Sequence, residues 1–121
     1  MKNGTIVIVE RSVSYSLRII KLYEAVGKNR AGKILGKQLL RSGTSIGANI
    51  HEAQAAQSKA DFIAKMSIVH KEARESAYWL RIFKESQIVS ASSIAELTDE
   101  TEQLVKILSA ILISSKKNKH Y

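Results

Sequence analysis

Two acidic pairs, three histidines and a run of basic residues are the side chains here whose types and spacing could do chemistry. Glu72-x-x-Glu75 and Glu96-x-x-Asp99 have the spacing that lets carboxylates on two helices share a magnesium ion, as in helical nucleotide pyrophosphatases. Helix-start charge explains Glu96 and Asp99 equally well, and the two pairs lie about one helical turn out of level. His51, His70 and His120 occur singly. No Glu-x-x-His pair is present for a di-iron bundle site. No arginine precedes a histidine by about five residues, as helical ribonuclease modules require. No serine or threonine has a paired base, and no glycine loop cradles a phosphate. The sequence therefore reads as non-enzymatic, with no cofactor, no metal site and no catalytic residue.

The basic residues are the stronger signal. Net charge is +8, and from Arg11 to Arg41 there are eight basic residues against one acid, Glu24. Arg11, Arg18, Lys21 and Lys28 follow steps of seven, three and seven. Arg30, Lys33, Lys37 and Arg41 follow steps of three, four and four. Each set falls on one helical face, and two such stripes on adjacent helices suit a phosphate backbone. Arg11, Arg18, Lys21, Lys33, Lys37 and Arg41 are the candidate nucleic-acid contacts, for RNA or DNA. Aromatics interleaved for base stacking are missing from this run. Two ordinary solvated faces, or a surface for an acidic protein partner, fit the same residues.

A second polar row, Gln38, Arg41, Ser45, Asn49 and Glu52, borders the apolar stripe of the same segment. With Glu72 and Glu75 it reads as a structural network fixing helix register, with Arg41 reaching Glu72 or Glu75.

These residues need helices to carry them. The chain has 121 residues, one domain's worth, and no proline to break a helix. Without cysteine it has no disulfide or thiolate site, which suits a reducing, cytoplasmic setting. The Ile6–Val9 run is too short for a signal-peptide core, and no stretch is long enough to span a bilayer, so no membrane partner is expected. Periodicity predicts helices over about 9–26, 31–55, 59–85 and 94–114, with a disordered tail over 115–121. Val9, Val13, Leu17, Ile20 and Tyr23 are the expected buried face of the first, which ends on a left-handed Gly27 cap. In the second, Gly43 and Gly47 permit close helix packing. Ser58 starts the third, which Tyr78, Trp79 and Phe83 anchor. A Ser93–Glu96 capping box starts the fourth. Short connections between these helices give an all-α, antiparallel up-down four-helix bundle, a single domain over 1–121.

The segment from Gln38-Leu39-Leu40-Arg41-Ser42-Gly43-Thr44-Ser45-Ile46-Gly47-Ala48-Asn49-Ile50 to Glu52-Ala53 resembles the central motif of a bacterial four-helix-bundle family. Its founding members are encoded in intervening sequences of 23S ribosomal RNA genes. Asp61-Phe62-Ile63-Ala64-Lys65-Met66, Lys71-Glu72-Ala73-Arg74-Glu75 and Tyr78-Trp79-Leu80 are similar to its third helix. The resemblance covers about residues 10–113. It implies a homopentamer without catalytic residues. It also implies a relative, the accessory protein of diversity-generating retroelements, a basic barrel that binds nucleic acid and a reverse transcriptase. Where many members carry proline this chain has Gly47.

Overall fold

The computed structural model describes residues 2–117, which form four helices: α1 Lys2–Val26, α2 Arg30–Gln54, α3 Lys59–Ser86 and α4 Ala91–Lys117. The expected bundle is present. α1 packs on α2, α2 on α3 and α3 on α4, while α1 and α4 close the ring more loosely. Neighbours run antiparallel: α1 residues 12, 19, 23 and 26 meet α2 glycines 47, 43, 36 and 32 in reverse order.

Local chemistry sets the helix ends, though not always where periodicity placed them. Asn29 caps α2 by accepting from the Gly32 amide at 2.8 Å. Ser58 caps α3 through the Asp61 amide at 3.0 Å, and Asp61 accepts in turn from the Gln57 amide at 3.1 Å. α4 starts three residues earlier than expected, because Ser90, and not Ser93, accepts from the Ser93 amide at 3.3 Å. Glu96 consequently lies beyond the first turn. Gly27 is not a left-handed cap: among the described residues no glycine has positive φ, and the one left-handed residue is Gln87, closing α3 with φ 63°. α1 begins well before Val9, and α4 continues through residues 115–117 of the expected tail; residues 118–121 of that tail lie outside the described residues.

α2 runs unbroken through Gly43 and Gly47, and its glycines explain why. A Cβ on Gly43 would lie 2.9 Å from Ile19 Cγ1, and one on Gly32 would lie 2.4 Å from the Val26 carbonyl oxygen. The glycines form the seam against which α1 lies, within a single protomer. That seam also selects the α1 face. Ile8, Ser12, Tyr15, Ile19 and Val26 are buried, whereas Val13, Leu17 and Ile20 are exposed, Leu17 at 57%. Of the five residues expected on the buried face, Val9 and Tyr23 are half-buried and the other three are exposed, because α1 is apolar on two sides and only one side presents Ser12 and Ile19 to glycines.

The core joins Leu39, Ile46 and Ile50 of α2, Met66, Val69, Leu80 and Phe83 of α3, and Ile94, Leu104 and Leu108 of α4 to this α1 face. A polar layer crosses its middle, one fully buried residue from each helix: Tyr15, Ser42, Ser76 and Thr101. The Tyr15 and Thr101 hydroxyls are 2.7 Å apart, and those of Ser42 and Ser76 are 2.8 Å apart. Thr101 also donates to the Leu97 carbonyl at 2.7 Å, and Ser76 to that of Glu72 at 2.9 Å. Unpaired hydroxyls in this core would cost about 1–3 kcal/mol each, so the layer favours the one register in which all four meet.

Candidate functional site

The α2–α3 junction carries a charged cluster. Arg41 pairs with Glu72 at 3.2 Å and with Glu75, and Trp79 Nε1 donates to Glu75 Oε2 at 3.1 Å. The bond from Trp79, with Arg41 adding to it, holds the Glu75 carboxyl below its usual range. The hydrogen bond to Glu75 likewise raises the Arg41 guanidinium. The other members of the expected row do not join this cluster. Ser45 donates to the Arg41 carbonyl at 2.7 Å and Asn49 to the Ser45 carbonyl at 2.8 Å, both within α2. Glu52 meets Lys65 at 3.6 Å, and the exposed Gln38 side chain makes no hydrogen bond among the described residues. Side chains with short reach bond back to their own helix. In this row only the long charged side chains cross to α3, Arg41 to Glu72 and Glu75 and Glu52 to Lys65.

The six candidate phosphate contacts divide into two groups. Arg11 donates to Glu100 at 2.6 and 3.0 Å and to Gln103 at 3.1 Å, tying α1 to α4. Arg41 is engaged as described. Arg18, Lys21, Lys33 and Lys37 are exposed and make no ion pair among the described residues.

These four do not make one stripe. Seen down α1, Ser12, Ile19 and Tyr23 face α2, while Arg11 and Tyr15 face α4. Arg18 continues the α4 flank, seven residues after Arg11, with Lys21 next to it. Lys33 and Lys37 lie on the outer face of α2. Between the two pairs runs the exposed ridge Val13–Leu17–Ile20. The burial of α1 by its Tyr15 face, which periodicity missed, is what inserts this ridge.

Glu72 and Glu75 lie on the α2 flank of α3, while Glu96 and Asp99 are exposed on α4. The two acidic pairs therefore do not converge. Among the described residues no group of three metal-ligating side chains occurs. His51 Nδ1 lies 2.8 Å from the Gly47 carbonyl oxygen, and burial together with Arg74 lowers the pKa of His70.

One surface feature escaped the sequence reading. Tyr78 does not anchor α3: it is 54% exposed, whereas Phe83 is fully buried and Trp79 half-buried. Tyr78 shares the outer face of α3 with Lys71, Arg74 and Arg81, all exposed. Their steps of three, four and three were legible, but only the segment 11–41 has the dense charge that draws attention.

No helix among the described residues is long and apolar enough to cross a membrane. A comparison with curated proteins finds no match. The family described as "23S rRNA-intervening sequence protein" matches residues 5–110. The chain is also similar to the crystal structure of a protein of unknown function from the S23 ribosomal protein family of Bacteroides thetaiotaomicron. That similarity has 37% identity and a TM-score of 0.82, and covers 87% of this chain and 97% of the other.

Proposed function

The chain belongs to the 23S rRNA-intervening sequence protein family, and from that premise we propose that it is a non-catalytic, self-associating, cytoplasmic protein that binds the phosphate backbone of RNA or DNA as a ribonucleoprotein accessory factor. The observation that carries this reading is the set of exposed cations that make no ion pair among the described residues, Arg18, Lys21, Lys33 and Lys37, on a chain of net charge +8. Arg11 and Arg41 are structural, since each already neutralises a carboxylate across a helix boundary.

Self-association supplies what a single chain lacks. Two separated pairs of cations make a weak site. Copies joined through the Val13–Leu17–Ile20 ridge bring several pairs together, and a pentamer, the assembly the family resemblance implies, would carry +40 from five chains of +8. Avidity then replaces strong single-site affinity. A reverse transcriptase is a further partner that the same resemblance suggests.

Charge reversal tests the backbone reading. Lys33→Glu/Lys37→Glu and Arg18→Glu/Lys21→Glu should each weaken binding to RNA and DNA, with helicity retained. Arg41→Ala should weaken it less. Wild-type affinity in both reversed variants overturns the assignment. The cation-flanked apolar ridge favours a second reading, a scaffold for an acidic amphipathic protein segment. Nuclease treatment before pull-down separates the two: partners lost with the nucleic acid support the first reading, and partners retained support the second.

A further inference from the structure

The outer face of α3 and its groove against α4 place an exposed aromatic ring among cations. Tyr78 is 54% exposed. Its ring meets Trp79 edge to face, with centroids 5.0 Å apart and planes at 72°. Trp79 is in turn held by its bond to Glu75, which Arg41 fixes from α2. Tyr78 is thus backed by an indole with little freedom, while over half of its own surface meets solvent.

Arg74 lies one turn before Tyr78, Lys71 one turn further back, and Arg81 one turn after it, so the row extends about 15 Å along the helix. Among the described residues Lys71 and Arg74 make no ion pair, and Arg81 pairs with the exposed Glu85 at 2.7 Å. Across the groove, Arg74 and Ala77 of α3 face Val105 and Lys106 of α4, with Glu102 the one acid of the lining. An aromatic face flanked within a turn by cations is what an unpaired base with its two phosphates requires. A duplex hides its base faces in its own stack, so it can use the cations but not the ring.

We infer that this α3–α4 surface binds single-stranded nucleic acid, with a base stacked on Tyr78 and the flanking phosphates on Lys71, Arg74 and Lys106. This rests on the nucleic-acid reading above but uses different residues, so the two can fail separately. Stacking on Tyr78 is sequence-tolerant, because every base has a π-face.

The test measures binding of the full chain to fluorescein-labelled oligouridylate and to a blunt RNA duplex. Tyr78→Ala should weaken oligouridylate binding about five- to 150-fold and leave duplex binding unchanged. Tyr78→Phe should retain wild-type affinity for both. Arg74→Ala/Lys106→Ala should weaken both. Tyr78 is exposed, so its alanine variant keeps the bundle, and unchanged helicity by circular dichroism verifies this. Trp79 is the chain's one tryptophan, and its emission should change on saturation with oligouridylate in the wild type but not in Tyr78→Ala. Wild-type oligouridylate affinity in Tyr78→Ala overturns the inference. If Lys33→Glu/Lys37→Glu weakens binding in the same experiment, the α1–α2 reading survives that failure. A wild-type chain that binds neither probe overturns both.

Discussion

Replacing Tyr15 by phenylalanine should change the sign of its effect on stability as pH rises. At neutral pH the phenol is bonded to Thr101 at 2.7 Å inside the core. Removing it leaves Thr101 with its bond to the Leu97 carbonyl, so the loss should be about 1 kcal/mol. Burial raises the Tyr15 pKa from 10.0 to about 12, with Thr101 and Ser76 opposing it. The folded state therefore holds its proton where the unfolded chain releases it. Stability from this group is fully present below pH 10 and is lost between 10 and about 12. Two units correspond to about 2.7 kcal/mol. Tyr15→Phe removes that penalty, so it should be about 1 kcal/mol less stable than wild type near neutrality and about 1–2 kcal/mol more stable near pH 12. Lysine deprotonation affects both proteins, and the difference between them cancels it. Urea unfolding of the pair across this range is the assay. A difference that stays constant with pH refutes the buried, polar placement of Tyr15.

Other perturbations address the packing and the surface. Gly32→Ala sets a Cβ against the Val26 carbonyl oxygen, which as backbone cannot yield, so overpacking near the top of its 1–3 kcal/mol range should outweigh a helix gain of about 1. Thermal unfolding should fall by roughly 6–12 °C, whereas Gly47→Ala, whose nearest neighbour is the Ser12 hydroxyl at 3.2 Å, should be near neutral. Leu17→Glu places a charge on the exposed ridge and should lower the mass measured by light scattering without loss of helicity. An unchanged assembly would exclude the ridge as its interface.

The helices were legible because their signals are local. Ser58 followed by Asp61, and Met66, Val69, Ala73, Leu80 and Phe83 at helical steps, carry α3 by themselves. The face of α1 was not legible, because Val13–Leu17–Ile20 and Ile8–Tyr15–Ile19 are equally periodic. The choice between them is made by glycines on another helix. The polar layer was hidden for a related reason: Thr101 falls on the apolar stripe of α4, but Ser42 and Ser76 look like ordinary helix-surface residues until the helices bring them together with Tyr15 and Thr101. Charge was legible in number but not in placement. Arg11 and Arg18 share a helical face, yet Glu100, far off in the chain, engages the first and leaves the second in solvent.

The salt dependence of nucleic-acid binding tests the central claim most directly. With Arg18, Lys21, Lys33 and Lys37 as the phosphate contacts of one chain, log affinity should fall against log salt with a slope of about −3 to −4 per protomer engaged. Charge reversal of either pair should bring that slope closer to zero. Affinity independent of salt, or no binding to RNA or DNA at low salt, would contradict the account.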